Sequence, residues 1–202
     1  MVTIIAGEYR SRKLMTIPNN LASRPLLSRV KESVFGMLHG WLDGARVLDL
    51  FAGVGTVGLE AVSRGALAVL MVEADPRIFR VLEANISRLG CQDRARALLA
   101  DARGPTCLAD APSPVDLVFV DPPYAMMTGE PSRGEILDLI ARCRAIMGGG
   151  GFVILRSPLG PEEVDLAVAG FRGPEAHRYR KDMWVLLYEP LSPPPGSGST
   201  EE

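Results

Sequence analysis

The sequence predicts an α/β fold built on a Rossmann-like, mostly parallel, seven-stranded sheet with helices on both faces. From Arg46 onward, short apolar runs alternate with segments of helical periodicity. The run Val115–Val120 is almost continuously apolar, which is typical of a strand covered on both faces. Such alternation favours parallel pairing, because each helix carries the chain back over the sheet.

The elements are predicted in chain order as follows. A short β-hairpin over Val2–Ile17 and a loop over 18–25 precede an amphipathic helix, which begins at Ser28 as N-cap and includes Trp41. Asp75 before Pro76 and Gly90 predict the start and the end of a later helix. The strands are predicted at Arg46–Phe51, Leu67–Glu73, Arg94–Ala100, Val115–Val120, Phe152–Leu155 and, antiparallel near one edge, Met183–Glu189. The remaining helices are predicted at Thr56–Arg64, Pro76–Leu89 and Glu135–Met147.

Three segments are expected along the chain. Residues 1–27 form a basic hairpin and arm, residues 28–190 form one α/β domain, and residues 191–202 form a disordered tail rich in Pro, Gly and Ser.

Composition narrows the class of protein. The chain has 202 residues, of which 47% are hydrophobic and 23% charged. No apolar run reaches the roughly 18 residues that a membrane span needs, and the first ten residues lack the features of a signal peptide. We therefore expect a cytoplasmic protein without membrane attachment, and we separately expect a monomer. Cys91, Cys107 and Cys143 are widely spaced, so we expect three reduced thiols and no metal site.

The charge is unevenly distributed. Residues 1–36 contain six basic and two acidic residues, although the formal net charge of the chain is −2. A basic segment of this kind can bind the phosphates of a nucleic acid, but it can also be a solvated face. The candidate residues for binding these phosphates are Arg10, Arg12, Lys13, Arg24 and Arg29.

A glycine-rich turn follows the first core strand. The stretch "VLDLFAGVGTVGLEA" (47–61) contains the spacing G-x-G-x-x-G between a predicted strand and a predicted helix. Glycines allow a tight turn and close approach of a ligand, and the start of a helix offers free N–H groups. We expect Phe51, Ala52, Gly53 and Gly55 to contact a nucleotide-like cofactor.

Carboxylates stand at or near the ends of the neighbouring strands. Glu73, followed by Ala74, has the placement of an acid that binds both hydroxyls of a ribose. Asp101, followed by Ala102, could meet the amino group of an adenine. Asp49 could bind the amino group of an amino-acid moiety or could hold the glycine turn.

The strand Val115–Val120 ends in Asp121, Pro122, Pro123 and Tyr124. The two prolines predict a stiff, non-helical arm that carries Asp121 and Tyr124 at the ligand-binding edge of the sheet. NAD would account for the glycine turn and Glu73 but would leave this arm without a role. S-adenosylmethionine accounts for both, so we favour it as the cofactor.

With these motifs together, the sequence resembles the RsmD family of class I S-adenosylmethionine-dependent methyltransferases. The segments that carry the resemblance are "IIAGEYRSRKL", "RPLLSRVKESVFGML", "VLDLFAGVGTVGLEAVSRGA", "VEADPR", the helix containing Asn85, and "VFVDPPY". The resemblance implies methylation of the exocyclic N2 amine of a guanine in 16S ribosomal RNA, as free RNA or in the small subunit. It also implies cofactor contacts by Glu73 and Asp101, and contacts with the target amine by residues 121–124.

The chain departs from the family pattern at three positions. Leu26 and Ser28 replace a Thr and an acidic residue, and Arg156 stands where relatives tend to carry Glu. An adenine-N6 methyltransferase shares the Asp-Pro-Pro-Tyr logic and is the nearest alternative function. A nicotinamide-dependent oxidoreductase and a catalytically silent RNA-binding protein are alternatives from other classes.

Overall fold

A seven-stranded sheet forms the centre of the protein in a computed structural model, which describes residues 2–17 and 28–192. The strands are β1 (Val2–Thr3), β2 (Lys13–Leu14), β3 (Arg46–Leu50), β4 (Ala68–Glu73), β5 (Ala95–Leu99), β6 (Val115–Val120), β7 (Met147–Ser157), β8 (Phe171–Arg180) and β9 (Met183–Pro190). The helices are α1 (Ser28–Met37), α2 (Gly58–Ser63), α3 (Pro76–Leu89), α4 (Thr106–Ala109), α5 (Tyr124–Thr128) and α6 (Glu130–Cys143).

The large sheet has the order β5-β4-β3-β6-β7-β9-β8. Strands β3 to β7 pair in parallel, and β9 runs antiparallel to both β7 and β8. The strand order reverses between β3 and β6, and open α/β sheets bind ligands at such a switch point. The predicted fold class is confirmed.

The core lies on both faces of the sheet because side chains alternate along each strand. Val47, Leu117 and Phe119 pack in a cluster with residues of α1, α2 and α3. Leu48 and Val118 point to the opposite face and pack with residues of α4, α5 and α6. Each central strand is therefore covered by helices on both faces of the sheet, as its continuous apolar character predicts.

Several predicted elements match the structure closely. α3 and β6 have the predicted bounds. Asp75 accepts the Arg77 N–H at 2.8 Å as N-cap, and Gly90 ends the helix at φ 71°. β9 is antiparallel as predicted, and the three cysteines are buried and free.

Other elements differ from the prediction. The edge strand β8 was not predicted, and β7 is longer than Phe152–Leu155. α6 starts five residues before the predicted Glu135, because Pro131 is tolerated in a first helical turn. α1 begins at Ser28 but ends at Met37, so Trp41 lies beyond it and packs edge-on against Phe152, with ring centroids 5.2 Å apart.

The segment after β6 differs in part from the predicted stiff, non-helical arm. Pro122 and Pro123 are non-helical as predicted, and Pro123 has φ −51° and ψ 136°. Tyr124, however, is the first residue of the helix α5 rather than part of an extended arm. A proline just before a helix costs no hydrogen bond, since the first N–H groups of a helix have no intrahelical partner.

The N-terminal hairpin is attached firmly to the core. β1 and β2 pair antiparallel as predicted, and Ile4 and Leu14 are buried in the α1–α3 cluster. The predicted loop at 18–25, including Arg24, the departure at Leu26, and residues 193–202 of the predicted tail lie outside the described residues. Within the described ranges, no helix is long and apolar enough to cross a membrane.

Candidate active site

A cavity of about 320 Å³ opens at the carboxyl ends of β3, β4, β5 and β6, which is the switch point of the sheet. It is lined by nine of the residues that the sequence predicted, namely Phe51, Ala52, Gly53, Glu73, Ala74, Asp101, Ala102, Asp121 and Pro123. The structure therefore brings together residues that are up to 72 positions apart in the chain. The volume of the cavity falls within the usual range of small-molecule sites.

The glycine turn forms one wall of this cavity through an unusual backbone. Phe51 has φ 64°, Gly53 has φ 59° and Gly55 has φ 88°, so three residues of the turn have a positive φ. Residues other than Gly rarely adopt this backbone conformation, as Phe51 does here. Backbone strain of this kind is concentrated at ligand sites. A Cβ added at Gly53 would meet no atom within 4 Å, so the backbone presents an open face to the cavity.

Gly55 lies where two helices pack closely behind the turn. A Cβ at this position would lie 2.6 Å from Leu82 Cδ1 and 3.0 Å from Leu59 Cδ1. The glycine thus allows α3 and α2 to pack closely behind the turn, and it is not among the residues that line the cavity.

Asp49 lies behind the turn rather than on the cavity wall. Its side chain is buried, and its Oδ2 accepts the Gly58 N–H at 2.8 Å, at the start of α2. Burial raises the pKa of Asp49 to about 8, and the negative charges of Asp121 and Glu73 add to this effect while the Gly58 N–H opposes it. Of the two roles that the sequence suggests for Asp49, this geometry corresponds to holding the turn.

Glu73 connects the turn to the next strand. Its Oε2 accepts the Gly53 N–H at 2.9 Å, and its Oε1 accepts the Asp75 N–H at 2.8 Å. A carboxylate has about four acceptor positions, so two backbone bonds leave capacity for two hydroxyl donors. The predicted site for a ribose is thus held in a fixed orientation by the backbone itself.

Asp101 stands at the rim and is paired with Arg103. Its Oδ1 accepts the Arg103 N–H at 2.9 Å, and its Oδ2 lies 2.7 Å from Arg103 Nη2. The hydrogen bonds from Arg103 hold the pKa of Asp101 below its usual range. Arg103 also pairs with Glu135 at 2.7 Å and lines the cavity, although no sequence motif marks it.

Asp121 closes the cavity at the end of β6. Its side chain is 23% exposed and forms an ion pair with Arg156, whose Nε donates to Asp121 Oδ1. Burial raises the pKa of Asp121 to about 6, although the charge and hydrogen bond of Arg156 act in the opposite direction. The Arg156 guanidinium carbon lies 5.2 Å from the centroid of the Tyr124 ring, which is a cation–π distance.

Sequence reasoning did not find several residues of this site. Ile17, Ile78 and Met126 line the cavity, but single apolar residues carry no sequence signal for a ligand. The sequence pattern marks Asn85 only as part of a helix. It binds the N–H and the carbonyl of Met15 and the carbonyl of Val54, and so joins the N-terminal arm to the glycine turn.

The predicted basic arm lies on the surface. Arg10, Arg12, Lys13 and Arg29 are exposed, and none of them takes part in an ion pair with another residue that the structure describes. The arm leads toward the cavity through Met15 and Ile17. In the same described ranges, no group of three His, Cys, Asp or Glu side chains could hold a metal ion.

Curated relatives share the sequence over much of this region. The chain is 36% identical over 123 residues to "Ribosomal RNA small subunit methyltransferase D" of Escherichia coli strain K12, which covers 61% of this chain and 60% of the relative. It is 34% identical over 122 residues to "Putative rRNA methyltransferase YlbH" of Bacillus subtilis strain 168, covering 60% of this chain and 66% of the relative. The chain thus spans about three fifths of the length of the first of these relatives.

Solved structures share the fold over almost the whole chain. The putative methyltransferase yhhF from Escherichia coli superimposes with a TM-score of 0.77 and 28% identity, over 94% of this chain and 98% of that one. The hypothetical protein TTHA0928 of Thermus thermophilus superimposes with a TM-score of 0.71 and 29% identity, over 93% and 98% of the two chains.

The family described as "Conserved hypothetical protein 95" matches residues 2–165. This range includes the hairpin, the glycine turn, Glu73, Asp101 and the Asp-Pro-Pro-Tyr segment, so it covers most of the chain and nearly all of the site. The resemblance inferred from the motifs is confirmed, and the chain belongs to this family, the RsmD family.

Proposed function

We propose that the protein transfers a methyl group from S-adenosylmethionine to the exocyclic N2 amine of a guanine in 16S ribosomal RNA. The observation that carries the proposal is the position of Asp121. A carboxylate acceptor stands at the end of β6, beside a cavity whose other strand ends carry Glu73 and Asp101. The names of the relatives, which refer to ribosomal RNA of the small subunit or to rRNA, support this class of substrate.

The residues of the cavity fit the cofactor. The free acceptor positions of Glu73 suit the two hydroxyls of a ribose, and the open face of Gly53 lets a ligand approach the backbone closely. Ile78 and Ala102 supply apolar surface, and Asp101 lies at the rim where an adenine amino group could meet it. When bound, S-adenosylmethionine would supply an electrophilic methyl group.

The target amine needs help from the protein. The N2 lone pair of guanine is delocalised into the ring, so the amine is a poor nucleophile until the nitrogen becomes tetrahedral. Asp121 and the Pro122 carbonyl can accept its two hydrogens, which favours that geometry by fixed electrostatic positioning. Tyr124 can stack on the base, and such stacking contributes about 1–3 kcal/mol per base. A paired base cannot reach Asp121, so the target is unpaired or flipped.

The methyl transfer needs no reactant other than the cofactor and the RNA. A bound S-adenosylmethionine, held by Glu73 and the glycine turn, would supply the methyl group and a sulfur leaving group that takes the electron pair of the broken bond. The amine nitrogen then loses one proton, which the Asp121 carboxylate accepts and passes to solvent. The pKa of about 6 for Asp121 makes it ionised, and therefore able to accept the proton, at neutral pH.

Methyl transfer to ribosomal RNA from a strain that lacks the enzyme tests this function. The protein is incubated with isotopically labelled S-adenosylmethionine and either free 16S RNA or small subunits, and the RNA is digested to nucleosides. We expect label in N2-methylguanosine. Label in N6-methyladenosine would establish the adenine alternative, and absence of label from both substrates would contradict the proposal.

Binding measurements separate the remaining alternatives. Calorimetry should show binding of S-adenosylmethionine, whereas binding of NADH in its place would indicate an oxidoreductase. We propose a cytoplasmic location because the substrate would be ribosomal RNA, and light scattering after size exclusion tests the prediction that the protein is a monomer.

A further inference from the structure

Arg156 and Asp121 are brought together by the register of two parallel strands. Val120 of β6 pairs with Leu155 of β7 in the last rung of this ladder. Asp121 follows Val120 just past the end of β6, and Arg156 follows Leu155 within β7. The two side chains therefore emerge at the same edge of the sheet. The ion pair between them therefore depends on two strands of the core and not on a loop.

The guanidinium of Arg156 is held from several sides. The residue is only 5% exposed, and it lines a small apolar hollow together with Phe35, Ile154 and Val185. Its Nε bonds to Asp121, and its guanidinium carbon lies 5.2 Å from the centre of the Tyr124 ring. One buried cation thus contacts both polar side chains of the Asp-Pro-Pro-Tyr segment.

We propose that Arg156 is a positioning residue that fixes the Asp121 carboxylate and the Tyr124 ring in the arrangement that receives the target amine. This inference rests on the proposed methyl transfer and assigns a role within it to a residue outside the Asp-Pro-Pro-Tyr segment. The hydrogen bond from Nε restricts rotation of the carboxylate. The planar guanidinium beside the Tyr124 ring restricts the ring in the same way.

The charge of Arg156 also supports the ionised form of Asp121. The titratable groups that bear on Asp121 are the charged Arg156 from β7 and Asp49 from β3, and Asp49 lies behind the glycine turn with a raised pKa. Burial raises the pKa of Asp121, and Arg156 limits the rise. Loss of the guanidinium should therefore leave Asp121 protonated at a higher pH, so that it can no longer take the proton that the amine releases.

The main test compares Arg156→Gln with Arg156→Lys, and uses Arg96→Gln as control. Arg96 forms an ion pair with Asp110 at 3.1 Å on the surface, so its loss removes one cation of similar chemistry away from the cavity. We expect Arg156→Gln to lower kcat by about tenfold or more, with little change in the KM for S-adenosylmethionine. Arg156→Lys should recover part of the loss, because it keeps the charge without the fixed Nε bond. An unchanged kcat in Arg156→Gln would overturn the inference.

A double-mutant cycle distinguishes positioning from a general structural role. If Arg156 acts through Asp121, Arg156→Gln should cause little further loss of rate in a protein that already carries Asp121→Asn. An equal loss in both backgrounds would show that Arg156 acts independently of Asp121, and would overturn the inference. Calorimetric binding of S-adenosylmethionine by each variant verifies that it is folded.

Titration of the carboxyl carbons in protein labelled with ¹³C-aspartate gives a readout that does not depend on catalysis. The Asp121 signal is identified by its loss in Asp121→Asn, and its midpoint is expected near pH 6. Arg156→Gln should raise this midpoint by about one pH unit or more, since a nearby cation favours the carboxylate. An unmoved midpoint would contradict the inference even if the unmodified protein methylates RNA. Absence of methylation by the unmodified protein, with a shifted midpoint, would contradict the proposed function instead.

Discussion

Three aspartates at neighbouring strand ends differ in their protonation because their surroundings differ. Asp49 is buried against one backbone N–H, Asp121 is partly buried beside an arginine, and Asp101 is exposed and held by Arg103. The pKa values of the first two are raised to about 8 and about 6, and that of Asp101 is lowered. The surroundings of the three aspartates therefore suit them to different roles.

Asp49→Asn tests the protonation of the buried carboxyl. Folded Asp49 keeps its proton up to about pH 8, whereas the same group in the unfolded chain releases it near pH 4, so the folded state binds more protons between these values. The free energy of unfolding of the native protein should therefore fall as pH rises through this window, by at most about 1.4 kcal/mol per pH unit. Asn keeps an acceptor for the Gly58 N–H and removes this dependence.

Urea unfolding of both proteins at about pH 5 and about pH 7.5 measures the effect. The native protein should lose stability relative to Asp49→Asn between the two conditions. The comparison with the variant cancels the contribution of Asp121, whose raised pKa acts in the same direction. A difference that does not change with pH would mean that Asp49 is ionised in the folded protein.

Glu73→Ala tests the ribose contact. The substitution removes the acceptors of two ribose hydroxyls and the bonds to the Gly53 and Asp75 N–H groups. We expect the affinity for S-adenosylmethionine to fall by about 1–3 kcal/mol, which calorimetry can measure. Glu83→Ala, on the exposed side of α3, removes the same charge and should leave the affinity unchanged. Unchanged binding by Glu73→Ala would exclude Glu73 from the cofactor site.

Asp121→Ala tests the amine acceptor. Asp121 bears mainly on the reacting amine, so its removal should leave cofactor affinity nearly intact while the single-turnover rate of methyl transfer falls by about a hundredfold or more. Rapid-quench measurements with saturating cofactor and RNA give this rate directly. A near-normal rate would exclude the mechanism in which Asp121 receives the amine hydrogens.

At the scale of whole elements, the sequence predicted those parts of the fold that local patterns determine. α3 has a capping aspartate, a proline in its first turn and a terminal glycine, and its bounds were predicted correctly. β6 was predicted correctly because it is apolar throughout. β8 was missed because its exposed edge position gives it a sequence of charged residues around Gly173 and Pro174 that lacks a strand pattern.

The site was predictable to the extent that it lies at strand ends. Glu73, Asp101 and Asp121 each follow an apolar strand, and parallel strands place their ends side by side. Contacts between distant elements were not predictable in this way. The bond from Arg156 to Asp121 depends on the register of β7 against β6, and Asn85 reaches Met15 across 70 residues of sequence.

Asn85→Ala tests how the N-terminal arm is coupled to the glycine turn. Asn85 is 1% exposed on α3, and it accepts the Met15 N–H at 2.8 Å and donates to the carbonyls of Met15 and Val54 at 3.1 and 3.0 Å. Loss of these bonds should lower the free energy of unfolding by about 2–3 kcal/mol. Because Val54 lines the cavity, cofactor affinity should also fall.

Chemical denaturation and calorimetry on the same variants measure both effects. Ser87→Ala, on the exposed side of the same helix, is the matched control and should change neither quantity by more than about 0.5 kcal/mol. A destabilised Asn85→Ala protein with normal cofactor affinity would show that the arm and the glycine turn are not coupled.

On the scale of the whole molecule, the basic hairpin is mounted on a buried ionic network. Glu60 of α2 is fully buried and lies 2.9 Å from Lys31 Nζ of α1 and 2.9 Å from Arg64 Nε. The same carboxylate accepts the Ile5 and Ala6 N–H groups at 2.8 and 3.1 Å, just after β1. All of these groups satisfy one another, as a stable buried network requires. The hairpin therefore holds its exposed cations in a fixed position relative to the cavity.

Replacement of Arg10, Arg12 and Lys13 by Ala tests whether these cations bind RNA. If they contact phosphates, the triple variant should bind 16S RNA more weakly, and the slope of log affinity against log salt should become shallower by about 0.7–0.9 per lost contact. Cofactor affinity should not change, because the buried hydrogen bonds of the hairpin stay in place. Arg80, Arg88 and Arg96 are exposed on α3 and β5, so their replacement by Ala removes the same charge elsewhere on the surface. Equal losses of affinity in the two triple variants would mean that RNA binding depends on net charge alone. A loss confined to the hairpin variant would locate the phosphate contacts on the arm beside the cavity.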